Sequence, residues 1–284
     1  MPYPPGGALG LTLSFVPSYA VLCAVQAATA AAPARQAPSR GRSWVWLAVP
    51  AALLGAGVAI IDLVPQGPHA LALLATFGTP VLAAAGGLFL GSSRWWLWPP
   101  AAAGLWVAAW LAGGLVQDAA GVALIAGACL AGASAVAAVA PAWSIRAGLV
   151  GLAALDVVLV WATPGVREAT DALQAVGLPH AAGTPLPSLQ QATFGSAIMG
   201  WLDLLAPALL GVVVTGRLKL GAAAVTGVAA GAWGLLLFVT SEVAATVPVL
   251  VGLALADARR GRIRHPLEPA SAGGGPRRDR RGRA

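Results

Sequence analysis

Apolar stretches of about 20 residues follow one another along this chain, separated by short breaks that hold most of the charge. Inside the stretches neither a helical nor a strand period stands out, because they are apolar on every face. A run of that length and uniformity predicts an α-helix that crosses the hydrocarbon core of a bilayer. Nine can be placed, at roughly 8–32, 44–64, 69–90, 95–116, 119–141, 143–163, 189–214, 217–238 and 241–258. The expected fold is therefore all-α: a polytopic membrane protein built as a nine-transmembrane-helix bundle. The first run closes on ATAAAPA and has the outline of a signal peptide. Its leading MPYPPGG carries no positive charge, so a retained span is expected.

Composition agrees with this class. The chain is 58% hydrophobic and 10% charged, whereas soluble domains carry about 25% charged residues. Cys23 and Cys129 both fall inside apolar runs, which suggests neither a disulfide framework nor a thiolate metal site. His69, His180 and His265 lie in expected loops without metal-ligand spacing, and no phosphate-cradling glycine loop follows a strand. No metal and no cofactor are expected.

The basic residues orient the bundle, since short cytoplasmic loops collect Arg and Lys. Arg35, Arg40 and Arg42 follow the first span, Arg94 precedes the fourth, Arg146 opens the sixth, Arg217 and Lys219 open the eighth, and nine Arg lie beyond Asp257. All of these fall on one side of a nine-span alternation, and only Arg167 falls on the other. The N-terminus is expected outside and the C-terminus in the cytoplasm. The preference for Arg over Lys and the lack of Asn hint at a GC-rich bacterial genome, hence at a bacterial plasma membrane.

Three regions are expected: an N-terminal five-helix part over 1–142, a four-helix part over 143–258, and a basic disordered cytoplasmic tail over 259–284. The tail is rich in Pro, Gly and Arg without apolar periodicity, and suits contact with anionic lipid headgroups rather than with nucleic acid. Asp62, Asp118 and Glu242 sit near span ends, where water or headgroups reach them.

Two acids do not fit that pattern. Asp156 in LAALDVVLVWATP and Asp203 in MGWLDLLAP lie well inside the expected sixth and seventh spans, where a charge costs on the order of 3 kcal/mol at the bilayer centre. Asp156 is about 15 Å beyond Arg146 and Asp203 about 21 Å before Arg217, at 1.5 Å per helical residue. On consecutive antiparallel helices they can meet near mid-membrane, with Gly195, Ser196 and Gly200 thinning one side of the seventh span. Two adjacent carboxylates share a proton, so that one draws a proton from water while the other polarises a peptide carbonyl. That chemistry hydrolyses peptide bonds without a metal.

These residues resemble the presenilin and signal peptide peptidase family of intramembrane aspartyl proteases. Its members have nine spans, a Tyr-Asp motif in the sixth, a Gly-x-Gly-Asp motif in the seventh and a Pro-Ala-Leu motif at the ninth. Asp156 with VVLVWATP is similar to the first, Gly200-Trp201-Leu202-Asp203 with LLAPALL to the second, and Pro248-Val249-Leu250 to the third. Leu155 stands where the family usually has Tyr, Leu202 replaces the second Gly, and Val249 replaces Ala. The lysine that follows the aspartate motif in prepilin peptidases is absent.

The resemblance implies catalysis by Asp156 and Asp203, with Gly200, Leu202, Pro248, Val249 and Leu250 supporting the site. It implies transmembrane or signal-peptide helices as substrates, cut within the membrane. Two other readings compete: a proton- or cation-coupled transporter, because intramembrane carboxylates also relay protons, and an inactive family member that binds membrane helices, motivated by Leu202.

Overall fold

The computed structural model describes residues 8–33, 66–162, 184–240 and 243–264, together with 64, 175, 178, 180 and 181. The described residues are mostly helical, in eight α-helices. We name them α1 (Ala8–Ala31), α2 (Gly67–Phe89), α3 (Trp98–Leu111), α4 (Gly114–Val139), α5 (Ala142–Ala162), α6 (Trp201–Val213), α7 (Arg217–Trp233) and α8 (Val247–Arg264). Single 3₁₀ turns lead into α3 at Trp95–Leu97 and extend α7 at Gly234–Phe238. Among the described residues, four helical segments are long and apolar enough to cross a membrane: Gly67–Phe89, Gly114–Val139, Ala142–Ala162 and Arg217–Phe238. The expected second span, the loop with Arg167 and the tail beyond Arg264 lie outside the described residues.

The radial pattern is that of a protein surrounded by hydrocarbon. Val81 and Val228 point outward at 69% and 74% exposure, while Gln26, Thr76, Ser134 and Thr226 are buried inside. Between helices in lipid the gain from burying apolar surface is small, so close packing and internal hydrogen bonds hold the bundle. The helix α4 occupies its middle. One face of α4, with Val122, Ile125, Cys129, Ala133 and Ala137, joins a core shared with α1, α5, α6, α7 and α8. The opposite face, with Ala120, Leu124 and Ala128, packs against Ala83 of α2 and Ala102 and Ala109 of α3. Small side chains bring the backbones together: a Cβ on Gly211 of α6 would lie 2.6 Å from the carbonyl oxygen of Ala30 in α1.

The expected seventh span, 189–214, is not one helix. Gln191–Phe194 (β3) and Ala197–Gly200 (β4) form an antiparallel hairpin, and α6 follows with 13 residues, about 20 Å. Two short strands precede it, His180–Ala181 (β1) and Thr184–Pro185 (β2), also antiparallel. The β3–β4 loop is the dipeptide Gly195-Ser196, with Gly195 at φ 57°, a conformation that glycine adopts freely. The Gly195 N–H donates to Oδ2 of Asp118 in α4 at 2.8 Å, so an acid expected merely to face water or headgroups anchors the hairpin turn. Ala192, Ala197 and Met199 are buried against the bundle and Ile198 is half exposed.

The last helix also departs from expectation. It continues to Arg264, so residues 259–264, expected in the tail, are helical.

Candidate active site

Three interactions set the helices that carry the acids in register. At the basic end, Arg146 of α5 forms a salt bridge with Asp257 of α8 at 3.0 Å and donates to the carbonyl of Val213, the last residue of α6, at 3.4 Å. Ten residues further along α5, Asp156 meets Thr246, eleven residues before Asp257. The two intervals are about 15 and 16 Å long at 1.5 Å per residue, as antiparallel packing of α5 and α8 requires. Asp203 precedes Val213 by ten residues, again about 15 Å. Both acids therefore sit at one level. The 6 Å offset read from Arg217 disappears, because α6 ends at Val213 rather than at the arginine.

Asp203 stands in the first turn of α6, not in the middle of a long span as the apolar pattern suggests. Its Oδ2 accepts from the Gly200 N–H at 2.9 Å, in the manner of a residue that caps its own helix from the third position. Strand pairing gives that bond a further meaning. Phe194 and Ala197 flank a two-residue turn and exchange both hydrogen bonds, so the alternation makes Ala192 and Met199 the next bonded pair. Ile198 and Gly200 then direct their amides and carbonyls away from β3. The Asp203 carboxylate thus lies along the outer edge of β4.

Asp156 is partly buried in α5, where its Oδ2 accepts two hydrogen bonds from one residue, from the Thr246 hydroxyl at 2.6 Å and the Thr246 backbone N–H at 3.1 Å. Thr246 itself is 2% exposed. The helices that carry the two carboxylates, α5 and α6, pack against each other, and α8, which begins just after Thr246, packs against both. Cys129 of α4 reaches the turn that carries Asp203, its Sγ lying 3.6 Å from the carbonyl oxygen of Trp201. Among the described residues no group of three or more His, Cys, Asp or Glu converges to hold a metal.

Pro248, Val249 and Leu250 open α8 directly after Thr246. Pro248 and Val249 are buried, and Leu250 is partly buried against the main core. The helix is regular from Val247, and Pro248 occupies its first turn, where its missing N–H has no helical partner to lose. Leu202 is partly buried and packs against the same core, and Gly200 is exposed at the end of β4.

No known protein family, curated protein or solved structure matches this chain.

Two residues beside the acids escaped the sequence reading. Thr246 carried a signal, being the hydroxyl residue just before a helix with proline in its first turn. Gln26 carried another, since a carboxamide inside an apolar run needs a partner there as a charge does. It is 1% exposed, and its Nε2 donates to the backbone carbonyl of Asp203 at 2.9 Å.

Proposed function

We propose that this chain is an intramembrane aspartyl endopeptidase, of the presenilin-like nine-span type, that hydrolyses peptide bonds in transmembrane helices or remnant signal peptides. The observation that carries the proposal is the placement of Asp156 and Asp203 at one level on antiparallel helices that pack against each other, inside a bundle whose outer surface suits lipid. Level with Arg146, the charge-bearing end of α5, the bilayer interface lies about 15 Å away, near half the thickness of the hydrocarbon core.

In the proposed reaction the carboxylates share one proton. The ionised member removes a proton from a water molecule, whose oxygen attacks the scissile carbonyl carbon. The protonated member donates to the carbonyl oxygen, and the tetrahedral intermediate collapses as a proton passes to the departing nitrogen. All bonds are made and broken among water, peptide and the two acids.

The hairpin supports this reading as well. A helical substrate hides its carbonyls in its own hydrogen bonds, so attack requires an extended segment. The outward amide and carbonyl of Ile198 give such a segment a strand to pair with, and β4 runs straight into the turn that carries Asp203. Irregular backbone at membrane depth is tolerated where it is covered by protein or lines a wet cleft, and a cleft is what a hydrolase needs.

The proposed orientation puts the N-terminus outside and the basic ends of α5, α6 and α8 in the cytoplasm, in a bacterial plasma membrane, with the tail on anionic headgroups. The decisive experiment is cleavage of a transmembrane reporter peptide by the detergent-purified full chain. Product from the native protein and none from Asp156→Asn or Asp203→Asn supports the proposal; product from either variant at the native rate overturns it.

A further inference from the structure

The helix α6 carries a proline at position 207, in its second turn rather than its first. An α-helix bonds the N–H of each residue to the carbonyl four residues earlier, so Pro207 deprives one particular carbonyl of its donor. That carbonyl belongs to Asp203. In a bundle surrounded by hydrocarbon no bulk water replaces the missing bond, and a buried orphan acceptor is costly.

The missing donor comes from another helix. Gln26, in the buried face of α1 that also holds Leu22 and Ala30, places its Nε2 2.9 Å from the Asp203 carbonyl oxygen. The other carboxamide atom, Oε1, is buried without a hydrogen-bond partner among the described residues, so the side chain is kept there at a cost and its donor end is the one in use. Gln26 is itself held in place. Thr29 Oγ1 donates to the Gln26 carbonyl at 2.8 Å, Tyr19 about two turns earlier donates to the Ala230 carbonyl of α7 at 3.3 Å, and Lys219 of α7 donates to the Ala32 carbonyl beyond the end of α1. The close crossing of Gly211 and Ala30 fixes the spacing between α1 and α6.

We infer that Gln26 is a positioning residue for Asp203: it supplies from α1 the hydrogen bond that Pro207 removes from α6, and so couples the placement of α1 to the geometry of the carboxylate. This conclusion rests on the proteolytic reading of Asp203. The turn that bears the acid is then held from three sides, by Gly200 at its side chain, by Cys129 through a 3.6 Å contact of Sγ with the Trp201 carbonyl, and by Gln26 at its backbone. Of the three, the Gln26 bond alone compensates for a defect within the helix itself.

The coupling is testable because the defect can be repaired separately. Pro207→Ala restores a backbone N–H for the Asp203 carbonyl, after which Gln26 is dispensable. With the full chain in detergent and a transmembrane reporter peptide, Gln26→Leu is expected to lower kcat roughly tenfold in the native background, with KM within about twofold, and to change kcat less than about twofold when added to Pro207→Ala. Gln26→Asn, one methylene too short to reach, is expected to behave like Gln26→Leu. The melting temperature supplies a readout independent of proteolysis: Gln26→Leu lowers it in the native background and not on Pro207→Ala. Equal effects of Gln26→Leu in both backgrounds, on kcat and on melting alike, overturn the inference whatever the activity of the native chain. A native chain that cuts no peptide, with the melting coupling intact, overturns the proteolytic reading and leaves the Gln26 bond to Asp203 standing as a helix clamp.

Discussion

Thr246 donates both its hydroxyl and its backbone N–H to a single oxygen of Asp156, at 2.6 and 3.1 Å. The pair joins α5 to the start of α8 and leaves the other carboxylate oxygen of Asp156 free of these bonds. A hydrogen bond to a charged group contributes about 1.5–3 kcal/mol. In the proposed protease, Thr246→Val, which keeps the shape and the backbone donor but loses the hydroxyl, is therefore expected to lower kcat/KM roughly 10- to 100-fold. Thr246→Ser is expected to retain most of the activity. Steady-state cleavage of a reporter peptide by the two variants checks this, and a Thr246→Val enzyme as fast as the native one would remove Thr246 from the site.

In the proposed protease, loss of activity in Asp156→Asn and Asp203→Asn should come without loss of fold. Each change replaces a partly buried carboxylate by a neutral group of the same shape, and so relieves the desolvation of a charge. The melting temperature of both variants in detergent is expected to equal or exceed that of the native chain. A hydroxyl-bearing mimic of the tetrahedral intermediate is expected to raise the native melting temperature and to leave that of both variants unchanged.

The salt bridge between Arg146 and Asp257 is accessible to solvent, with side chains 25% and 42% exposed. Exposed pairs contribute about 0–1 kcal/mol, so Asp257→Asn is expected to shift the melting temperature little. Arg146→Ala also deprives the Val213 carbonyl of its donor and is expected to cost more. Thermal melts of the two single variants and the double variant separate the ion pair from the carbonyl bond. Equal losses from both singles would mean that the carbonyl bond contributes nothing.

Gly195 combines a left-handed backbone with a neighbour that a side chain would strike, since a Cβ there is directed into Ser18 Oγ of α1. Gly195→Ala is expected to destabilise the hairpin by about 1 kcal/mol from the backbone alone, with the clash added to it. Because β4 leads into the turn that holds Asp203, cleavage should fall together with protease resistance of the 191–200 segment. Normal cleavage by a variant whose hairpin is opened to chymotrypsin, which cuts after Phe194, would show that the hairpin is not needed for activity.

The proposed sense of α5 and α6 predicts a substrate orientation. With the basic ends cytoplasmic, α6 runs toward the cytoplasm, so a substrate segment antiparallel to it comes from a helix whose N-terminus is cytoplasmic. Two reporters of one sequence, inserted in opposite topologies, should be cleaved unequally in favour of the N-in form. Equal cleavage, or preference for the N-out form, contradicts the orientation, and a cytoplasmic reporter fused to the N-terminus tells whether topology or substrate rule has failed.

The residues alone carried the solvent of this protein and the helices suited to it. Uniformly apolar runs of span length, few charges and one-sided Arg follow from the cost of placing polar groups in hydrocarbon, and that cost is written locally. The two acids stood out for the same reason. The hairpin at 191–200 was not legible in the apolar pattern, because a run that is apolar on all faces suits a strand as well as a helix. Its Gly195-Ser196 dipeptide between short runs holding Thr193, Phe194 and Ile198 was the available hint. Partnerships across the bundle were beyond local reading altogether. Pro207 shows from sequence that the Asp203 carbonyl lacks a donor, but not that Gln26, 177 positions away, supplies it. Likewise Thr246 reaches Asp156 across 90 positions. Which helices become neighbours is decided by how small side chains let backbones approach, summed over the whole bundle. Only the assembled bundle therefore determines which polar groups answer one another in its interior.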